Sequence, residues 1–198
     1  MSRKRAAAVF FVVLAPIVVV AFFFVRQSFN PPHQIDVFGE LPDFQLTESS
    51  GQPISLAQLR GHIWIANFIF TNCPTQCPMI TAKMKHLQDR LVSESQVRLV
   101  SFTVDPERDT PAVLATYADK RGADRHKWFF VTGPQRDLNA LNLNGFRLGD
   151  GGTPTAHSFK LVLVDSQTRI RGYYDGLNDQ QVELLGNDAL TLLHQTTR

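Results

Sequence analysis

Three features of the sequence predict an α/β fold with a central mixed sheet flanked by helices. Residues 63–70 (IWIANFIF) are a nearly continuous apolar run, as a buried central parallel strand is, and residues 97–104 (VRLVSFTV) read as a second long strand. Between them, Ile80, Met84, Leu87 and Leu91 recur at three- and four-residue intervals and give one helical stripe. Further on, residues 159–164 and 170–174 read as two strands joined by a turn at 165–168, and a helical stretch follows. Strand–helix–strand–helix, then a hairpin and a closing helix, is an α/β order.

The chain has 198 residues, enough for one ordinary domain plus a tail or anchor. Its composition, 43% hydrophobic and 19% charged, supports a packed core and argues against wholesale disorder. The formal net charge is +2, and part of it comes from Arg3, Lys4 and Arg5. The remainder is close to neutral, so no nucleic-acid surface is expected.

Taken in order, residues 1–5 form a basic N-terminus. Residues 6–25 (AAAVFFVVLAPIVVVAFFFV) carry no charge and are long enough to span a bilayer as a helix, with Pro16 tolerated as a kink. A signal peptide shares this charged-then-apolar layout, but no small-x-small cleavage pattern follows Val25. An uncleaved transmembrane anchor is therefore expected. The basic residues before it and the single Arg26 after it predict a cytoplasmic N-terminus, with everything beyond on the outer (periplasmic) side of the inner membrane. Residues 26–40, with Pro31 and Pro32, read as a linker, and residues 41–198 as the exported domain.

Within that domain, residues 44–46 and 54–56 suggest a short hairpin about Gly51, and residues 56–61 a helical turn closed by Gly61. The first long strand leads to a helix over 78–91. The second leads to a helix opened by Pro111, capped by Asp109 or Thr110 and stopped at Gly122. A short strand over 128–131, a helix over 137–143, the hairpin, and a helix over 179–193 interrupted by Gly186 complete the chain.

The chain has two cysteines, too few for a scaffold held by several disulfides. They lie in Phe70-Thr71-Asn72-Cys73-Pro74-Thr75-Gln76-Cys77-Pro78, where a strand ends and a helix begins. That is the thioredoxin arrangement, so the fold class becomes thioredoxin-like. Unpaired amides and the helix dipole at such a point stabilise a thiolate, which is both nucleophile and metal ligand. Three residues separate the sulfurs, which suits a metal accepting two thiolates as well as a disulfide. A purely structural disulfide would gain little from so short a loop.

Two thiolates seldom complete a metal site. Of the six histidines, His33 lies in the linker, His62 opens a strand, and His86, His126 and His194 sit in polar surroundings. His157 differs: it lies in a glycine-rich loop leading into the strand at 159–164. In a thioredoxin fold, that loop faces the cysteine pair. Two thiolates and one imidazole form a soft, three-coordinate set that favours copper over hard ions, whereas structural zinc takes a fourth ligand.

Three motifs now make the chain resemble the Sco/SenC family. They are the cysteine segment, the stretch Ser101-Phe102-Thr103-Val104-Asp105-Pro106-Glu107-Arg108-Asp109-Thr110-Pro111, and His157-Ser158 followed by Leu161-Val162-Leu163-Val164-Asp165. The likeness runs from about residue 42 to 193. It implies a thioredoxin-like domain tethered by one N-terminal helix, with copper bound by Cys73, Cys77 and His157. It also implies Asp105 near the site, orienting His157. As partner it implies cytochrome c oxidase subunit II, or another copper-receiving protein, whose copper A site is loaded or whose cysteines are reduced. One departure is Ala156, where many family members carry an acidic residue. It bears on the loop's hydrogen bonding and not on the ligand. Thr153-Pro154-Thr155 is similar to the cis-proline loop that thiol oxidoreductases set opposite their cysteines.

Three functions compete on these residues: a copper metallochaperone that needs His157, a thiol–disulfide oxidoreductase that does not, and a peroxide-reducing or electron-transfer protein on the same fold. The oxidoreductase would use Cys73 and Cys77 as its redox pair and draw on a thioredoxin-like reductant.

Overall fold

The computed structural model describes residues 35–73, 76–149 and 159–196. The expected anchor at 6–25, the loop carrying Pro154 and His157, and the two residues between Cys73 and Gln76 lie outside them. Among the described residues no helix is long and apolar enough to cross a membrane.

One sheet organises the domain. Its eight strands are β1 (Gly39–Glu40), β2 (Gln45–Glu48), β3 (Pro53–Ser55), β4 (Ile63–Ile69), β5 (Val97–Thr103), β6 (Trp128–Thr132), β7 (Lys160–Val164) and β8 (Arg169–Asp175), in the spatial order β1-β8-β7-β4-β5-β6-β2-β3. β4, β5 and β6 are parallel, with Ile63 opposite Val97 and Leu99 opposite Trp128. β7 runs antiparallel to β4 and pairs with β8 as the expected hairpin. Every residue of β4 is buried, which explains its nearly continuous apolar run.

Among the described residues five α-helices accompany the sheet: α1 (Leu56–Leu59), α2 (Gln76–Arg90), α3 (Pro111–Lys120), α4 (Gln135–Ala140) and α5 (Asp179–Thr196). On one face, Trp64, Ala66 and Phe68 of β4 join Val100, Phe102, Leu138, Leu141 and Phe146 in a core cluster. Ile80, Met84 and Leu87 of α2 and Leu91 just after it are all buried, as their spacing predicts. Thr110 caps α3 by accepting the Val113 N–H at 3.4 Å, which settles the choice between Asp109 and Thr110. Gly122 follows at φ +66°, the left-handed turn that stops the helix.

The structure departs from the sequence reading at four places. Residues 39–40, read as linker, form β1 and pair with β8; a two-residue strand has no periodicity to betray it. Helix α2 starts at Gln76, two residues early, so Pro78 sits in the first turn, where its missing N–H costs nothing. The expected helix at 137–143 is instead α4 followed by a π-helical turn (Leu141–Gly145), closed by Phe146 N–H to the Leu141 carbonyl at 2.8 Å. Lastly, Gly186 does not interrupt α5. A Cβ there would clash with the Arg90 guanidinium, which lies across α5 and donates to the Glu183 carbonyl at 2.9 Å and to Asn187 Oδ1 at 2.5 Å.

Candidate metal centre

β4 ends at Ile69, and the chain turns at once. The Cys73 N–H closes the turn on the Phe70 carbonyl at 3.3 Å. Cys77 is the second residue of α2, so its N–H has no acceptor within the helix. That N–H donates to Cys73 Sγ at 3.4 Å. The helix dipole adds to this bond, and both favour negative charge on the Cys73 sulfur.

The two cysteines, both in the thiol form, differ in surroundings. Cys73 is half-buried, while Cys77 is 6% exposed. Burial pushes the Cys77 thiol up to about 12; a backbone hydrogen bond from Phe70 opposes the rise, and the neighbouring Cys73 and Asp109 add to it. The outer sulfur is thus the accessible one and the inner sulfur is held protonated.

The surroundings are fixed by a polar network. Thr81 Oγ1 donates to the Cys77 carbonyl at 2.7 Å and lies 2.8 Å from Tyr117 Oη, joining the first turn of α2 to α3. Thr71, two residues before Cys73, is bound to Asp109 through both its N–H (3.1 Å) and its hydroxyl (2.5 Å). Asp109 also accepts the Thr103 hydroxyl at 2.5 Å and is 1% exposed. Its burial and its three donors escaped the sequence reading, which weighed it only as a helix cap.

Asp105, expected near the histidine, has its carboxylate on Arg108 at 3.0 Å. His157 falls outside the described residues. Among those residues no group of three or more His, Cys, Asp and Glu side chains could hold a metal ion. His62 Nδ1 lies 3.3 Å from the Arg60 carbonyl, and His86 pairs with Glu183 at 2.7 Å on the α2–α5 surface. His126 is exposed and His194 lies in the last turn of α5, so none of these four joins the cysteines. The centre therefore offers two sulfur donors at a helix mouth. That chemistry suits a soft ion or a disulfide and does not suit a hard cation.

The family model described as SCO1/SenC matches residues 35–186. The chain belongs to the SCO1/SenC family. A relative in Bacillus subtilis (strain 168), the SCO1 protein homolog, is 34% identical over 156 residues, covering 76% of this chain and 81% of that protein. A relative in Stutzerimonas stutzeri, whose name provisionally assigns it copper binding, is 32% identical over 165 residues, covering 75% of this chain and 78% of that protein. The solved structure of BsSco, described as a member of the Sco family of cytochrome c oxidase assembly proteins with a disulfide switch, matches with a TM-score of 0.71. It is 32% identical and covers 81% of this chain and 98% of that one. The mixed sheet with flanking helices is thus the fold of the Sco proteins, as the sequence predicted.

Proposed function

We propose that this protein is a membrane-anchored copper chaperone in which Cys73, Cys77 and His157 hold the ion. Copper is its cargo, and a copper-receiving protein such as subunit II of cytochrome c oxidase is its partner. The observation that carries this reading is the cysteine pair: two cysteines at the mouth of α2, the Cys73 sulfur accepting the Cys77 N–H at 3.4 Å, in a chain of the SCO1/SenC family. The copper-binding name of the Stutzerimonas relative and the oxidase-assembly role of BsSco point the same way. Support for His157 comes from chain connectivity. β7 begins three residues later in the sequence. β7 is antiparallel to β4, so its first residues lie at the end of the sheet from which β4 delivers the cysteines.

In this reading residues 6–25 anchor the chain in the inner membrane, with the N-terminus cytoplasmic and the domain on the outer side. Bound copper supplies the cargo for transfer. The protein's own residues keep Cys73 accessible, hold Cys77 inside, and present both sulfurs together.

A second reading is a thiol–disulfide oxidoreductase acting on a partner's cysteines, favoured by the same two sulfurs and by the disulfide switch of BsSco. Anaerobic copper(I) titration of wild type, Cys73→Ser and His157→Ala separates the two. The chaperone reading expects one copper per wild-type chain, with loss of affinity in both variants. If Cys73→Ser abolishes oxidase assembly in cells while His157→Ala leaves it intact, the oxidoreductase reading replaces it.

A further inference from the structure

We propose that Asp109 is the positioning residue of the cysteine loop: through Thr71 it holds Cys73 against the mouth of α2 before any ligand or partner arrives. Asp109 is 1% exposed, and a buried carboxylate must find donors. Its donors are neutral: the Thr71 N–H at 3.1 Å, the Thr71 hydroxyl at 2.5 Å and the Thr103 hydroxyl at 2.5 Å. None of the ion pairs among the described residues involves it. Stability alone gives little reason to bury an acid here, because a well-packed apolar side chain of similar size would need none of these donors.

The geometry supplies a reason. Thr71 is the second residue of the turn that runs from Phe70 to Cys73. Thr103 ends β5, and Asp109 itself is fixed by its N–H to the Asp105 carbonyl at 2.8 Å, one residue before the cap of α3. One carboxylate therefore ties the turn carrying Cys73 to the end of β5 and the start of α3. The cost of ordering that turn is met during folding, not when the sulfurs react. A disulfide and a copper bis-thiolate both need the two sulfurs together, so releasing the turn should weaken both.

The metal readout of the test rests on the proposed copper function; the thiol readout does not. The full chain, purified in detergent, is compared with Thr71→Val, Thr71→Ser and Asp109→Ala. Under inert gas each is equilibrated with glutathione and glutathione disulfide. The Cys73 and Cys77 thiols give up two electrons and two protons as their S–S bond forms, and glutathione disulfide becomes two glutathione thiols. Copper(I) affinity is measured against a chromophoric chelator, and the Tm by circular dichroism.

Thr71→Val and Asp109→Ala are each expected to lower the disulfide equilibrium constant and the copper(I) affinity by about tenfold or more, the size of effect that outer-sphere partners exert. Thr71→Ser, which keeps the hydroxyl, should stay within about twofold of wild type on that scale. Should Asp109→Ala fail to fold, the isosteric Thr71→Val decides. A lowered Tm with unchanged equilibria overturns the proposal, and so does an effect of Asp109→Ala that Thr71→Val does not share. If the wild type binds no copper(I), the copper reading fails while the glutathione measurement still tests the clamp.

Discussion

The backbone N–H of Cys77 donates to the sulfur of Cys73 across 3.4 Å. This bond makes the two cysteines unequal, because it faces an outer, half-buried sulfur toward a helix N-terminus and leaves the inner one in the core.

The first prediction concerns reactivity. Iodoacetamide at pH 8 should modify Cys73 well ahead of Cys77, by more than about tenfold, since thiolate and not thiol is the nucleophile. The rate at Cys77 should climb without a plateau from pH 9 toward the value of about 12 that burial imposes on it. Peptide mapping by mass spectrometry gives both rates. Equal labelling of the two would contradict the asymmetry. The raised thiol value also carries a stability consequence. Its contribution is fully present below the ordinary value of 9.0 and is lost as pH rises toward about 12, so Cys77→Ala should lose less stability than wild type over that window.

At the acid end, Asp165 in the β7–β8 turn is the group to watch. Burial alone would raise its carboxyl, but hydrogen bonds from Arg169 and Arg171 outweigh that and hold it below the ordinary 3.8. Its side chain is 4% exposed and lies 2.8 Å from Arg169 and 3.0 Å from Arg171. A depressed carboxyl stabilises the fold above its ordinary value and loses that contribution as pH falls through the folded value. Asp165→Asn should cost about 1–3 kcal/mol at pH 7, because it removes the charged acceptor shared by two half-buried arginines. The deficit should shrink as pH drops below 3.8. Urea melts at pH 7 and pH 3 check this; a deficit that is the same at both would refute it.

The α2–α5 contact yields a coupled pair. Gly186→Ala gains roughly 1 kcal/mol of helix propensity but displaces Arg90 from Glu183 and Asn187. In an Arg90→Ala background the same substitution should stabilise by about that full amount, and in wild type by clearly less. Chemical denaturation of the four proteins measures the coupling, and additive effects would show that Arg90 does not need the glycine.

Much of this architecture was legible in the sequence. The nearly continuous apolar run of β4 identified it because a strand buried on both faces leaves little polar alternation, and β5 was legible beside it as a second long strand. The position of Cys73 and Cys77 at a strand end followed from that run. What escaped had physical reasons. β1 is held by pairing with β8 and not by its own pattern. Gly186 reads as a breaker until Arg90, nearly a hundred residues earlier in the chain, is seen to need its space. Asp109 looks like one more acid in a turn, and only the fold brings Thr71 and Thr103 to it. Asp105, named from the resemblance, is half-buried and holds Arg108 at 3.0 Å, and the His157 it was expected to orient lies outside the described residues.

The central claim is that Cys73, Cys77 and His157 together hold copper, and X-ray absorption at the copper edge of the copper(I)-loaded full chain tests it most directly. The account predicts one copper per chain bound by two sulfurs and one imidazole nitrogen, with the nitrogen contribution gone in His157→Ala. Two sulfurs alone in the wild type, with a spectrum that His157→Ala leaves unchanged, would contradict it.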